Sequence, residues 1–301
     1  MLTHFDHTAL SVFTKRNYDD SINHWIAFLK KPIEKIIKTP AKSLDALKKV
    51  PADVLVQSHH VHHKYLSAIV SYMKYHKIAS LTDKEQTDIQ EEWRRLMMES
   101  QEPSKEHYKD NKPSDRQEPQ RLHWPEVVKV RDSLPDGIPK LLLSMYTLLE
   151  PERADYFELE LLTSSQTPIS PNYINLTEKK VVLTDFKTKK KYETLEQIIP
   201  PELFRQITLS LVENPRKYLF VMGDGQPFNR ITFSTWANRV LKKIFGKNTT
   251  LTCVRHAFVS SEIDFTKSIR ELESIGKRMG HDVMTQKRYA WLDGKNEVVE
   301  K

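Results

Sequence analysis

One stretch in the first half of the chain limits what the rest can become. Residues 100–121, SQEPSKEHYKDNKPSDRQEPQR, hold three prolines and almost no apolar side chain. A segment of that composition cannot bury enough apolar surface to offset the entropy of ordering it, so it reads as a linker. The remainder must then form two separate cores, and 301 residues suffice for both. The expected division is a helical domain over 1–100, a linker over 101–122 and a second domain over 123–301.

Upstream of the linker the apolar residues recur at helical spacing. Tyr18, Ile22, Trp25, Ile26 and Leu29 mark a helix over 14–30. A short helix near 43–49 stops before Pro51. Val61, Leu66, Ile69, Val70 and Met73 form one stripe, and Thr82 with Glu85 predicts a capping box opening a helix through Trp93 and Met97. Four helices are expected here. Downstream, Pro125 sits at a favourable first helical position, and IPKLLLSMYTLLE is apolar enough for a core helix. YINLTEKKVVLTDFKTKKKYETLE alternates like a strand–turn–strand unit. From about Pro200 the sequence reads as helices. The fold class is therefore mostly α with a small β-sheet.

Charge narrows the partners. The net charge is +7, which suits a polyanion, nucleic acid before an anionic membrane. No apolar run is long enough to span a bilayer, so no membrane partner is expected. The first ten residues, MLTHFDHTAL, lack the basic end and apolar stretch of a secretory signal, and the chain is expected to stay in a reducing space, cytosol or nucleus. Cys253 is the single cysteine, which excludes an internal disulfide and a cysteine-based zinc finger. Seven glycines form neither a P-loop nor a dinucleotide fingerprint. His59 and His63 lie one helical turn apart and suggest a metal, but no carboxylate or cysteine completes a site nearby, so no metal and no cofactor is expected. The same histidines suit a polar face against a DNA backbone. Lys242, Lys243 and Lys247 read as a basic face for phosphates.

The chemistry-bearing residues lie in a fixed order. Arg153 follows the apolar helix, Lys187 sits in FKTKKK, Arg255 in TCVRHAF, and His281 and Tyr289 in MGHDVMTQKRY. Around one phosphodiester these side chains have complementary uses. Guanidinium forks match the non-bridging oxygens. An imidazole donates a further hydrogen bond, a phenol can attack phosphorus, and a lysine can protonate the departing oxygen. Lys189, Lys190 and Lys191 compete with Lys187 for that last role.

This order resembles the active site of the tyrosine recombinases, the family of phage integrases, bacterial chromosome-dimer resolvases and crypton-type elements. VRHAF resembles its Leu-Arg-His-x-Phe segment and RMGHDVMTQKRY its Leu-Gly-His…Tyr segment. LLEPERADYFELEL resembles the first-arginine box and FKTKKK the β-turn lysine. The layout of helical core-binding domain, linker and catalytic domain is also similar, and a crypton-like or viral branch is expected. The resemblance implies that Arg153, Lys187, Arg255, His281 and Tyr289 are catalytic and that residues 1–100 help clamp double-stranded DNA. It implies a 3′-phosphotyrosine intermediate and a tetramer assembled on DNA. The tail after Tyr289, AWLDGKNEVVEK, is long enough only for a small subunit contact.

The chain departs from the family pattern at three places. Thr252 stands where the family has the histidine of His-x-x-Arg; its hydroxyl can bond a phosphate but cannot serve as acid or base. His256 has its own counterpart in the family and does not replace it. The His281–Tyr289 spacing is one residue short, which on a helix means about 100° of rotation; the loss is expected in the turn after His281. Tyr156 occupies a position the family gives to an acid, and Asp155, one residue earlier, is a candidate to orient Arg153. Two rival readings remain: relaxation of DNA in the manner of a type IB topoisomerase, and a catalytically decayed DNA-binding protein of the same fold.

Overall fold

The computed structural model describes residues 4–5, 10–109, 111–163 and 166–291. It divides into two compact units, 1–110 and 111–301.

The first unit is helical. Its helices are α1 (Val12–Leu29), α2 (Ile33–Ile37), α3 (Pro40–Lys48), α4 (His59–Tyr75), α5 (Asp83–Glu99) and α6 (Glu102–Lys109). The four expected helices correspond to α1, α3, α4 and α5. Thr82 and Glu85 form the reciprocal capping box that their spacing predicts. The other two helices escaped the periodicity. Five residues are too few to show it, and α6 lies inside the segment read as linker. That helix is polar, with Lys105–Glu102 and Lys109–Glu106 paired across one turn. Such pairs help a helix without leaving an apolar trace.

The centre of this unit is an edge-to-face pair of indoles. Trp25 and Trp93 lie 5.8 Å apart at 78°, both fully buried. Each indole N–H donates to a backbone carbonyl, Trp25 to Tyr65 and Trp93 to Ile37. Burying the rings therefore strands no donor. His63 pins α4 against the end of α5: its Nδ1 donates to the Met97 carbonyl, and its Nε2 takes the Gln101 amide. His62 bonds Gln57. Among the described residues, no group of three or more His, Cys, Asp or Glu side chains is placed to hold a metal.

The second unit wraps helices about a small sheet. After α7 (Trp124–Ser133) and α8 (Ile138–Met145) come β1 (Glu160–Leu162), β2 (Asn172–Asn175) and β3 (Lys180–Leu183). A single turn of helix, α9 (Lys189–Tyr192), precedes β4 (Leu195–Ile198). The strands lie in sequence order, β1 parallel to β2 and the others antiparallel. Helices α10 (Pro201–Glu213), α11 (Arg230–Phe245), α12 (Leu251–Glu262), α13 (Ile269–Arg278) and α14 (Val283–Tyr289) complete the unit. Residues 141–145 are buried without a break, so α8 is an interior helix. No helix among the described residues is long and apolar enough to cross a membrane. The tail expected to contact a neighbouring subunit lies, beyond Trp291, outside the described residues.

Because the paired indoles fill the centre of the first unit, Trp93→Ala should destabilise it by about 3–5 kcal/mol, the range for a large aromatic lost from a core. Urea unfolding followed by fluorescence measures this; a loss below about 1 kcal/mol would mean that the cavity collapses or was never filled.

Candidate active site

Helix α12 starts with Thr250, whose hydroxyl accepts from the Cys253 amide. One face of the helix enters the core, and Arg255 goes with it. A guanidinium only 1% exposed needs partners on every side. It donates to the carbonyls of Pro151 (3.2 Å) and Met279 (2.7 Å). It also donates from Nη2 to Nδ1 of His281. The Glu152 carboxyl stands 3.8 Å from Nη1, and the Tyr289 ring covers the group at 4.9 Å from Cζ. Burial lowers the Arg255 pKa from its usual range, and Glu152 opposes that.

The histidine is brought in by a tight turn. Gly280 has φ of +61°, a left-handed conformation that glycine adopts at little cost. Gly276 in α13 lets the His281 backbone come close: a Cβ there would lie 2.6 Å from the His281 carbonyl oxygen. The His281 amide donates to the Gly276 carbonyl at 2.9 Å. Since Arg255 can only donate, Nδ1 of His281 must accept, and the ring proton is on Nε2. That Nε2–H is buried and has no partner among the described residues, as is Nε–H of Arg255. Desolvation first, then Arg255 and Arg153, lower the His281 pKa to about 2, so the imidazole is neutral at ordinary pH.

Asp282 alone separates His281 from α14, and its carboxylate caps the helix at the Thr285 amide. Tyr289 is the last residue of that helix. Its ring lies 5.7 Å from His281 at 19° and 4.8 Å from His256. The short His281–Tyr289 spacing therefore leaves the phenol ring on Arg255. His256 holds this helix end: its Nδ1 donates to the Tyr289 carbonyl at 2.8 Å and its ring stacks on Trp291 at 3.8 Å. Burial lowers its pKa to about 4.

Arg153 is half-buried in the loop after α8, where its carbonyl accepts from the Tyr146 hydroxyl. Its charge reaches Arg255, His281 and Glu152. Asp155, the candidate to orient Arg153, is paired with Arg230, whose guanidinium lies over Phe157, and the charge of Arg153 also reaches it. Lys187 and Thr252 are exposed, and among the described residues neither joins the cluster through a hydrogen bond or ion pair. The Lys187 turn is nevertheless tied to the histidine loop. Thr188 donates to the Gly280 carbonyl at 2.7 Å, and Lys191 pairs with Asp282. Lys242 and Lys243 are exposed near the C-terminal end of α11, where the helix dipole also favours cations. Lys247 donates to the Arg121 carbonyl, so it is a tether as much as a free charge.

Sequence reading did not single out Glu152, His256 as an anchor, or the glycine pair. GKRMGH, with two of the seven glycines flanking one histidine loop, carried a signal for the last of these. No family model and no curated protein matches the chain. Among solved structures, that of XerA recombinase is similar to it, with a TM-score of 0.44 and 17% identity, covering 95% of this chain and 89% of that one. Likeness at that level carries no weight for activity, and the functional reading stands on the geometry of the site.

Two outcomes check this geometry. Gly276→Ala should destabilise the protein although alanine gains about 1 kcal/mol in helix propensity, because a Cβ cannot sit against a carbonyl oxygen; a raised melting temperature would show that the loop yields. His256 has its folded pKa depressed, so its contribution is present above the unfolded value and is lost as pH falls from about 6.5 towards 4. His256→Asn keeps a donor for the Tyr289 carbonyl but does not titrate. Between pH 7 and 5 the variant should lose about 2 kcal/mol less stability than wild type in urea titrations.

Proposed function

We propose that this chain is a DNA breaking-and-rejoining enzyme of the tyrosine recombinase type, acting on double-stranded DNA without metal or ATP. One observation carries the reading: a phenol at the end of α14 rests on a buried arginine and a neutral histidine, beside two buried N–H donors that have no acceptor among the described residues. A phosphodiester supplies acceptors of the right kind for Arg255 Nε and His281 Nε2. For a phosphate to reach them the Tyr289 ring must turn off the guanidinium.

In this reading Tyr289 Oη attacks phosphorus and gives up its proton to water. The bond to the 5′ oxygen breaks, leaving a 3′-phosphotyrosine and a free 5′-hydroxyl. Arg255 and Arg153 stabilise charge on the phosphate, and His281 donates from Nε2. Lys187, on an exposed turn anchored to the same loop, protonates the leaving oxygen. Thr252, exposed on the first turn of α12, bonds a phosphate oxygen at most. A 5′-hydroxyl from a second duplex reverses the step, and the bond energy stays in the phosphotyrosine. Residues 1–100 together with helix α6 clamp the duplex, the stretch from there to 122 links, and 123–301 carry the chemistry. Insertion or excision of a mobile element or viral genome by a tetramer built on DNA fits this scheme, in a crypton-like or viral branch of the family. The net charge of +7 supports a DNA partner.

The test is a nicked suicide duplex made from the DNA flanking the gene. Wild type should be trapped as a covalent adduct on a denaturing gel, and Tyr289→Phe should give none. Equal behaviour of the two removes the nucleophile assignment. DNA binding without any adduct identifies a decayed site, and relaxation of supercoils without a specific sequence favours the topoisomerase-like reading.

A further inference from the structure

Glu152 has no part in that chemistry, yet its placement is unusual. The carboxyl is 1% exposed, and neither oxygen has a hydrogen-bond partner among the described residues. It faces Nη1 of Arg255 at 3.8 Å, beyond hydrogen-bonding range, while Nη1 donates to the Pro151 carbonyl. A purely structural partner would be expected to form the two-pronged carboxylate–guanidinium pair, which satisfies both groups. Oε2 also lies 3.6 Å from where a Cβ on Gly280 would stand, so the carboxyl borders the turn that carries His281. A buried carboxyl without donors thus sits beside the arginine that has a spare donor.

Resting on the function proposed above, we propose that Glu152 is the exchangeable counter-charge of Arg255. In its ionised form it balances the guanidinium until a DNA phosphate engages Arg255, and it then takes up one proton from solvent. The charge balance closes: one phosphate anion replaces one carboxylate anion, and the only new bond is O–H on Glu152.

The surroundings support the direction. Burial raises the Glu152 pKa to about 8, and Arg255 and Arg153 hold it from rising further, against Asp155 and Glu150. A phosphate on those arginines adds negative charge beside the carboxyl, so the bound pKa lies above the free one. Other groups facing this region are tied down. Asp155 pairs with Arg230 and Glu150 with Arg278. The Tyr146 and Tyr156 phenols are pushed well above their usual range by burial and stay protonated. The His281 imidazole stays neutral. Affinity should therefore be level below about pH 8 and fall above it, by up to tenfold per pH unit.

The experiment measures binding of an intact duplex carrying the cleaved site, at fixed ionic strength, from about pH 6.5 to about pH 9. Calorimetry in buffers of different ionisation enthalpy counts protons in the same samples. Wild type should take up nearly one proton near the top of that range, with a matching loss of affinity. Glu152→Gln should show neither, whereas a merely structural role would weaken binding equally at every pH. If Arg255→Ala binds as well as wild type, phosphate does not engage Arg255, and both this inference and the proposed function fall. If Arg255 matters but Glu152→Gln retains the proton uptake, only this inference falls. Should Glu152→Gln not fold, wild type alone decides: no proton uptake above about pH 8 overturns the proposal.

Discussion

A single buried cation organises the second unit. Removing a guanidinium from water costs several kcal/mol unless fixed dipoles and counter-charges replace the lost hydration. Arg255 receives those replacements from far apart in the sequence: the Pro151 carbonyl, the Met279 carbonyl, the His281 ring nitrogen and the face of Tyr289. The loop after α8, the end of α13 and the end of α14 must all come to α12 for that charge to be tolerated. The candidate site and the stability of the unit are thus one arrangement. The carboxyl of Glu152 stands beside that charge at 3.8 Å without hydrogen-bonding it.

The first unit is held by different means. Its centre is apolar and aromatic, and its polar burial is limited to groups that find backbone partners, as the two indoles do. Its histidines divide the same way: His63 is fixed between α4 and the end of α5, while His59 and His60 are exposed on the first turn of α4. A helical unit with a settled core and a polar, charged exterior can meet another charged surface without rearranging inside.

What the sequence disclosed follows from the range of the interactions involved. Helices α1, α4 and α5 were legible because their apolar stripes repeat locally, and the α5 cap because Thr82 and Glu85 are three residues apart. Helix α6 was not, because ion pairs rather than apolar spacing support it. The parallel pairing of β1 with β2 has no local signature either, since a strand of three residues is too short to show alternation. At the site, Arg255, His281 and Tyr289 were legible from short motifs. The pairing of Asp155 with Arg230 was not legible because the two lie 75 positions apart. Glu152 was invisible because nothing in LLEPERADY says which two acids of three are taken into the interior, or that of those two only Asp155 finds an arginine in hydrogen-bonding range.

The turn that carries Lys187 and the loop that carries His281 are fastened twice, through Thr188 to Gly280 and through Lys191 to Asp282. Asp282 in turn caps the helix ending in Tyr289. Four lysines on an exposed turn are therefore joined to the helix of the phenol through one hydrogen bond, one surface ion pair and one helix cap. The turn, the histidine loop and the helix that places the ring over Arg255 therefore form one connected chain of contacts, so a shift of the first is felt by the last.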